Sequence, residues 1–323
     1  MSQSAQPISV TGLLASLRDR TANGVYAIAL DGGELPVSVH VQESPLLVFT
    51  FAGAVDRTTR TLPFFVATGL HTQLPASIIA FSDPSLVRND EMRLAWYAGH
   101  EGFALQQQLP PLIDQIIDCL GAARIAFAGG SGGGFAALYY SWHVPGSVAV
   151  VTNPQTNLNH AIQTHRARYH DSCWPALSPN DPFDTVIEPN LGAIYAKRCD
   201  NSVIYLQEAS DFLHLKWHFA PFVAALPREY GARLVVRMTH WGRRGHQAIP
   251  TYAWMPWVRA ALFAPETTAV SLEETWAKES SQQTHTPPAP RAHAANRDQR
   301  IAADLARRAT STLLSSPSSE RNV

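Results

Sequence analysis

The sequence predicts an α/β fold, with a mostly parallel central sheet and helices on both faces. Apolar runs of strand length alternate with segments of helical periodicity from about residue 25 to residue 263, the pattern that crossover helices between parallel strands produce. A glycine-rich turn at residues 129–133 joins one apolar run directly to an Ala-rich helical segment. With 323 residues, 46% of them hydrophobic, the chain can bury one large core.

The predicted strands lie between turn residues. Val25–Leu30 and Val37–Val41 flank Asp31-Gly32-Gly33, so we expect an antiparallel hairpin at one edge of the sheet. The other apolar runs indicate buried strands. They are Leu46–Phe51, Ser77–Phe81, Arg124–Gly130, Ser147–Asn153, Val203–Gln207 and Arg233–Met238.

Helical periodicity predicts four helices between these strands. In the first, apolar residues recur at helical spacing up to Leu120, with Pro110-Pro111 suited to the first turn and Gly121 suited to the stop. The other predicted helices are residues 133–142, about Phe212–Leu226 and about Thr251–Phe263.

Composition divides the chain into a folded domain, residues 1–264, and a low-complexity tail, residues 265–323. The tail has too few large apolar side chains to offset the entropy of ordering it. We therefore predict that it is disordered, with a marginal helix at Asp298–Leu314 that is a candidate for binding a protein partner. Within the folded domain, residues 154–200 are rich in His, Pro, Asn and aromatic residues, which predicts a cap inserted after the sixth strand.

Charge and cysteine content exclude several classes of protein. The formal net charge of -1 gives no overall field to attract nucleic acid or an anionic membrane. The three cysteines, Cys119, Cys173 and Cys199, have no CxxC spacing, so neither a disulfide framework nor a cysteine zinc module is indicated. The N-terminus lacks a signal-peptide pattern, and no apolar window reaches membrane-spanning length. We expect a cytoplasmic protein without an integral membrane segment.

Ser131 is the candidate nucleophile. It stands in a G-x-S-x-G pattern, directly after an apolar strand and before a helix. A turn this sharp forces the serine into a strained backbone conformation and brings strand and helix together, so the flanking positions favour glycine. The helix that follows directs free N–H groups at an oxyanion forming beside the serine.

A phosphate-binding turn is the alternative interpretation of these glycines. Residues 132–137 satisfy a loose G-x-G-x-x-A pattern. However, the next strand ends in Thr152-Asn153, without the Asp or Glu that holds a ribose, and no Gly-Lys-Ser/Thr follows. The nucleophile interpretation is therefore preferred, and we expect no cofactor.

Asp211 and His246 are the candidate acid and base. A serine hydroxyl needs an imidazole to accept its proton and a carboxylate to orient that imidazole. Asp211 lies just past a predicted strand; Glu208 is the reserve acid, whereas Asp200 precedes the strand and would lie at the opposite edge. The alternative role of Asp211 is helix N-capping. His246 ends the glycine-punctuated loop after the last strand.

The oxyanion hole and pocket are assigned from neighbouring loops. The N–H of Gly132 is the first predicted donor, and Ala52 or Gly53, after the strand Leu46–Phe51, supplies the second. An ordinary strand-to-loop glycine is the alternative. The aromatic residues Trp96 and Tyr97 are expected to wall the pocket.

Two further histidines are assigned to the same pocket. His240 is interpreted as a substrate contact or a structural histidine. His214 and His218 are spaced i, i+4 near Asp211, which permits a mononuclear metal site. Position 215 is Leu where metalloproteases of this spacing carry a catalytic Glu. We therefore predict no metal and place His214 at the pocket.

The segments GGSGGG, ASD and WGRRGH, in this order, resemble the α/β-hydrolase superfamily over about Val25 to Phe263. The resemblance implies that superfamily's fold and a Ser131–Asp211–His246 triad. In addition, GGSGGGFAALYYS followed by NPQT is similar to a bacterial branch that includes accessory Sec-system O-acetyltransferase-like proteins linked to surface-glycan modification. That similarity implies acyl transfer to a carbohydrate, although the long polar tail departs from such proteins.

These residues lead to one main functional hypothesis and two alternatives. The main hypothesis is a carboxylesterase-like serine hydrolase acting on a small-molecule or carbohydrate ester through an acyl-enzyme on Ser131, with no nucleic-acid partner. An O-acyltransferase that modifies a cell-surface carbohydrate would use the same acyl-enzyme. A non-catalytic assembly protein would instead tolerate Ser131→Ala and depend on the tail.

Overall fold

The structure is a computed structural model that describes residues 5–178, 181–198, 200–242 and 244–282. Nine strands of this part of the chain form one sheet in the order β1-β2-β3-β5-β4-β6-β7-β8-β9. The strands are β1 (Gln6–Ser9), β2 (Asn23–Leu30), β3 (Gly33–His40), β4 (Leu46–Phe51), β5 (Ser77–Phe81), β6 (Arg124–Gly130), β7 (Val148–Thr152), β8 (Ser202–Glu208) and β9 (Leu234–Thr239).

The sheet is mostly parallel. The six strands from β5 to β9 in sheet order run parallel to one another, and β3 is antiparallel to both β2 and β5. Every residue of β5 and β8 is buried, as expected for strands covered on both faces. The carboxyl ends of β4, β6, β7, β8 and β9 therefore meet at one edge of the sheet, where ligand sites of α/β folds form.

Helices cover both faces, so the predicted α/β class is confirmed. The helices are α1 (Val10–Arg18), α2 (Leu105–Leu120), α3 (Gly132–Trp142), α4 (Gln163–Cys173), α5 (Leu191–Tyr195), α6 (Phe212–His214), α7 (Ala220–Ala225), α8 (Thr251–Phe263) and α9 (Ala269–Gln282). One apolar core contains residues of α1, α2 and α3, and a second contains residues of α8 and α9 on the other sheet face.

The N-terminal residues add a strand and a helix that the apolar pattern did not predict. Strand β1 pairs in parallel with β2, so the β2–β3 hairpin is one strand away from the sheet edge at which it was predicted. All four residues of β1 are at least partly exposed. A short strand that buries little apolar surface leaves no clear period-2 signal.

Helix α2 begins at Leu105, four residues earlier than its apolar pattern indicated, and contains Pro110 and Pro111 in its interior. Pro110 has no N–H for the carbonyl of Gln106. The Tyr139 hydroxyl donates to that carbonyl instead, at 3.3 Å. This tertiary hydrogen bond satisfies the Gln106 carbonyl, so the two prolines lie inside the helix and not in its first turn as predicted.

The helix predicted over residues 212–226 is divided. A π-helical turn, Leu215–Phe219, separates α6 from α7. Pro221 lies in the first turn of α7, and it cannot donate the main-chain hydrogen bond that a continuous α-helix requires. The break leaves α6 as one short turn directly after Asp211.

The segment between β7 and β8 does not cover the predicted site. It packs beside α2 and the segment that precedes it: the Tyr169 hydroxyl donates to the Gly99 carbonyl at 2.8 Å, and Gln106 of α2 donates to the Glu188 carbonyl at 3.2 Å. No described residue of the range 154–200 lines the cavity beside Ser131. A lid function for this insertion is therefore not supported by its position.

Helix α9 corrects the predicted end of the folded domain. Its Leu272 is fully buried, and its Trp276 stacks on Trp257 of α8 with 4.7 Å between ring centroids. Because polar residues separate these two apolar side chains, the sequence pattern did not predict a helix here. Compact structure extends to Ser280, and the predicted tail beyond 282, including the marginal helix Asp298–Leu314, lies outside the described residues. Within those residues, no helix combines the length and apolarity that crossing a bilayer requires.

Candidate active site

Ser131 occupies the sharp turn between β6 and α3. Its backbone is strained, with φ 54° and ψ −119°, in the left-handed region that residues with a side chain rarely adopt. Three hydrogen bonds hold it there: the Ser131 N–H donates to the Thr152 carbonyl at 2.9 Å, and the Ser131 carbonyl accepts from Gln155 and Phe135 at 3.0 and 3.2 Å. The turn therefore presents the hydroxyl at the carboxyl edge of the sheet.

Two glycines make this close crossing of strand and helix feasible. A Cβ on Gly129 would lie 2.2 Å from the Gly133 carbonyl oxygen, and a Cβ on Gly133 would lie 2.3 Å from the Phe51 carbonyl oxygen. Backbone cannot move away from such contacts without opening the sheet. Any side chain at either position would displace Ser131.

The structure brings Ser131, His246 and Asp211 together. His246 Nε2 lies 3.0 Å from Ser131 Oγ, and His246 Nδ1 donates to Asp211 Oδ2 at 2.7 Å. With Nδ1 protonated, Nε2 of a neutral ring accepts the Ser131 proton. This is the geometry in which an imidazole activates a serine hydroxyl.

Asp211 lies at the end of β8 and is 3% exposed. Burial alone would raise the pKa of its carboxyl, but hydrogen bonds from His214 and His246 outweigh burial and hold the pKa well below its usual range. Asp211 also caps α6, because its side chain accepts from the His214 N–H at 3.3 Å. Capping and orienting His246 are thus compatible roles of one carboxylate.

The reserve acid Glu208 does not contact His246. It is 2% exposed and accepts hydrogen bonds from His240 Nδ1 at 2.7 Å and from the Trp241 N–H at 2.8 Å. Ser210 links it to the next part of the loop, donating to Glu208 at 3.0 Å and accepting from the Gly245 N–H at 3.0 Å. Glu208 therefore holds the start of the loop that carries His246 directly, and holds Gly245 through Ser210.

Asn153, at the end of β7, was missed as a site residue. Its side chain accepts from the Glu208 N–H at 2.7 Å and donates to the Gln247 carbonyl at 2.9 Å. It thus ties the His246 loop to the end of β8. A polar residue directly after a buried parallel strand was the available signal.

The Ala52 N–H is not free to bind an oxyanion, which corrects one of the two predicted second donors. It donates to the Tyr97 hydroxyl at 2.8 Å. Gly53 lies beside Ser131, since a Cβ on it would be 3.5 Å from Ser131 Cβ, and its N–H has no hydrogen-bond partner among the described residues. Gly132 opens α3, where N–H groups are unpaired.

A cavity of about 770 Å³ opens beside Ser131. Its floor is formed by Thr50, Ala128 and Val150 on three neighbouring strands, on the sheet face that α8 covers. Its walls come from the segment after β4 and from the start of α8, including Val66, Ala67, Leu70, Ile249 and Trp254. A mainly apolar cavity at this place suits the acyl part of an ester.

Trp96 and Tyr97 do not wall this cavity, contrary to prediction. Both are 1% exposed and have left-handed backbones, with φ 57° and 55°. The buried Asp83 carboxylate accepts from the Tyr97 N–H at 2.7 Å, and the Trp96 indole donates to Gln155. Their aromatic surface stabilises the core beneath the serine turn instead of contacting ligand.

His240 and His214 also lie outside the cavity lining. His240 is on the loop surface, with half of its side chain exposed, paired with Glu208. His214 is 3% exposed and lies beside Asp211 and His246, with Nδ1 3.1 Å from Asp211 Oδ1. The assignment of both residues to the substrate pocket is corrected accordingly.

One group of side chains has metal-ligand geometry. Asp211, His214 and His246 offer ligand atoms within 4.8 Å of one another, and His218 is not part of this group. Both Nδ1 atoms donate to the carboxylate, so a cation between these atoms would have to displace those hydrogen bonds. The arrangement is that of one carboxylate shared by two imidazoles.

A solved protein shares the arrangement of sheet and helices seen in this chain. The capsule O-acetyltransferase of Neisseria meningitidis serogroup A superposes with a TM-score of 0.55 at 14% identity, covering 74% of this chain and 94% of that one. A variant of that protein in complex with CoA gives a TM-score of 0.50 at the same identity and coverage. A carboxyl esterase from the fungus Tuber melanosporum gives 0.48 at 14% identity, covering 80% of this chain and 86% of that one.

No protein-family model and no curated protein sequence matches the chain. At 14% identity, structural similarity establishes the fold and not the reaction. The similarity agrees with the mostly parallel nine-stranded sheet and its helices. The chain has the α/β-hydrolase fold.

Proposed function

We propose that this protein is a carboxylesterase-like serine hydrolase that works through an acyl-enzyme on Ser131. The observation that carries the proposal is the continuous hydrogen-bond chain from Ser131 through His246 to Asp211, with distances of 3.0 and 2.7 Å. The strained serine backbone and the adjacent apolar cavity support the same chemistry.

In the first half-reaction, Ser131 Oγ attacks the ester carbonyl carbon while its proton passes to His246 Nε2. The Asp211 carboxylate stabilises the resulting imidazolium. The N–H groups of Gly132 and Gly53 hold the oxyanion of the tetrahedral intermediate. When the intermediate collapses, the C–O bond to the alcohol breaks, and His246 returns the proton to the leaving oxygen.

In the second half-reaction, His246 takes a proton from the acceptor that attacks the acyl-enzyme. When this second intermediate collapses, the bond from the acyl carbon to Ser131 Oγ breaks and His246 returns the proton to Oγ, so that water gives the free acid. The side chain of His246 is 36% exposed, so an acceptor from solvent can reach the ring. The apolar cavity beside Ser131 holds the acyl group while the acceptor enters.

An O-acyltransferase is the second candidate, because a sugar hydroxyl at the acceptor position would give transfer. The similarity in fold to a capsule O-acetyltransferase supports testing carbohydrate acceptors. The resemblance of the serine segment to accessory Sec-system O-acetyltransferase-like proteins points to the same acceptors. The cytoplasmic location and a protein partner for the tail stay predictions from the sequence.

The test combines a covalent probe with product analysis. A fluorophosphonate should label Ser131 in the native protein and fail to label Ser131→Ala, and p-nitrophenyl ester hydrolysis should fall by about 10⁴-fold in that variant. Mass analysis with added sugar acceptors then distinguishes free acid from acylated sugar. Labelling at another residue, or full activity of Ser131→Ala, would contradict the proposal.

A further inference from the structure

The Asp211 carboxylate has a second imidazole partner that the acyl-transfer mechanism does not use. His214 Nδ1 lies 3.1 Å from Oδ1 and 3.0 Å from Oδ2 of Asp211. The ring of His214 also stacks on that of His246, with centroids 4.0 Å apart and planes inclined by 6°. One buried side chain therefore contacts both the acid and the base.

His214 supplies most of the hydrogen bonding to Asp211. Besides His246, the donors to this carboxylate among the described residues are the main-chain N–H of His214, at 3.3 Å, and its ring Nδ1. Without the ring, Oδ1 would keep only the longer main-chain bond in a site that is 3% exposed. A carboxylate so weakly held would be free to rotate away from His246.

His246 itself has little support from its own segment. It lies between β9 and α8, on a loop with Gly242 and Gly245 at φ 91° and 77°. Its ring makes hydrogen bonds to Ser131 and Asp211, neither of which prevents the ring from tilting about the line joining them. The face of His214 blocks that tilt from one side.

His214 stays neutral in this position. Burial lowers its pKa, and the Asp211 hydrogen bond opposes that effect without reversing it. Its Nε2 is buried with no hydrogen-bond partner among the described residues, so a second proton there would be an unsatisfied donor. The charged and titratable groups that face it are Asp211, His246 and His218, with ring centroids of the two latter at 4.0 and 4.9 Å.

We propose that His214 is a positioning residue, which fixes the Asp211 carboxylate through its ring Nδ1–H. This inference rests on the proposed function, since it concerns the same acyl-transfer site. A neutral ring suits the role, because a charged one would repel the imidazolium that forms on His246 during each half-reaction.

Three variants separate the hydrogen bond from the stack. His214→Asn keeps a donor near the Nδ1 position and loses the ring, whereas His214→Phe keeps the ring and loses the donor. We expect His214→Phe to lower kcat for ester hydrolysis by about 10- to 100-fold with KM unchanged, because a small misplacement of the acid and base has that effect. His214→Asn should recover most of the loss, and His214→Ala should be lowest.

A packing role would give the opposite order, with His214→Phe near native activity and His214→Asn impaired, and that outcome would overturn the inference. The matched control is His160→Ala, which removes an exposed histidine stacked on Trp217 of the same region and should leave kcat unchanged. Thermal unfolding of each variant identifies those that fail to fold, and the rate of fluorophosphonate labelling reports on Ser131 activation.

Labelling and hydrolysis by the native protein distinguish failure of the positioning role from failure of the proposed function. If the native protein labels at Ser131 and hydrolyses esters while His214→Phe matches it in kcat, only the positioning role is wrong. If the native protein shows neither labelling nor hydrolysis, the proposed function is wrong and the positioning role falls with it.

Discussion

Glu208 and Asp211, at the carboxyl end of β8, each pair with a histidine of the loop after β9, and the pair that contains His246 reaches Ser131. We call Glu208–His240 the outer pair and Asp211–His246 the inner pair. Glu208–His240 and Asp211–His246 have the same oxygen-to-Nδ1 distance, 2.7 Å. His246 presents Nε2 to Ser131 at 3.0 Å, whereas the His240 side chain is half exposed and outside the cavity. A carboxylate beside a histidine is thus not sufficient to identify catalysis; the free nitrogen must also face the serine.

The first prediction tests whether the inner pair, and not the outer pair, takes part in the reaction. Asp211→Asn should lower kcat by about 10⁴-fold, because the amide favours the wrong imidazole tautomer. His240→Ala should change kcat by less than about 3-fold, since a half-exposed histidine away from the cavity contributes little to the reacting geometry. Steady-state kinetics on one p-nitrophenyl ester measures both variants, and a large loss in His240→Ala would contradict the distinction.

The second prediction tests whether the outer pair is structural. Glu208→Gln weakens several hydrogen bonds to a buried carboxylate, and we expect it to lower the free energy of unfolding by about 3 kcal/mol at pH 7. Denaturant titration measures this change. His240→Ala is the control and should cost much less, because Glu208 keeps its main-chain donors. Equal losses in the two variants would show that the imidazole, not the carboxylate, organises the loop.

A buried histidine behind the inner pair should make folding sensitive to acid. Burial, opposed by Asp211, lowers the pKa of His218 from 6.5 to about 3, so between these values the unfolded chain binds a proton that the folded chain does not. The stability from neutral His218 is therefore complete above pH 6.5 and is lost as the pH falls toward 3. Between pH 7 and pH 5 we expect a loss of about 2 kcal/mol.

The measurement for His218 is denaturant unfolding at both pH values, compared with His218→Asn. The variant should lose less stability on acidification than the native protein. His160→Asn, an exposed histidine nearby, is the control and should follow the native curve. If His218→Asn shows the same acid dependence as the native protein, another group is responsible.

The smallest expected effect concerns the cavity beside Ser131. Ala128 is 6% exposed on the cavity floor, and Ala128→Leu should reduce the space for the acyl chain. We expect the ratio of kcat/KM for octanoate to acetate esters to fall by about 10-fold. Acetate activity should stay close to native, and a uniform loss on both esters would show instead that the sheet has been distorted.

Most of the sheet was predictable because its strands are buried runs bounded by turns. β4 to β9 were found at nearly their observed limits for this reason. β1 and α9 were not, since the first is exposed and the second contributes few apolar side chains to the core. The proline pair inside α2 was misread because a tertiary hydrogen bond from Tyr139 satisfies the carbonyl that a local rule leaves unpaired.

The sequence indicated that three site residues lie close together, but it did not indicate the direction in which side chains and N–H groups point. Chain order and strand ends suffice to collect Ser131, Asp211 and His246 at one edge. They do not show whether a side chain or N–H points toward the cavity or into the core. Ala52 and Tyr97 illustrate this, because each satisfies the other through a hydrogen bond that only the folded chain reveals. The roles of the collected residues stay predictions.

Ser131 and His246 line the cavity, but part of its wall comes from a segment that carries none of the three proton-transfer residues. Val66, Ala67 and Leu70 come from the connection between β4 and β5, whereas the three polar residues come from the ends of β6, β8 and β9. Exchanging residues 60–72 for a connection of another shape would therefore alter which acyl groups fit without touching the proton relay. Under the proposed function, substrate range and chemical step can therefore change independently, and this connection is the place at which to alter selectivity.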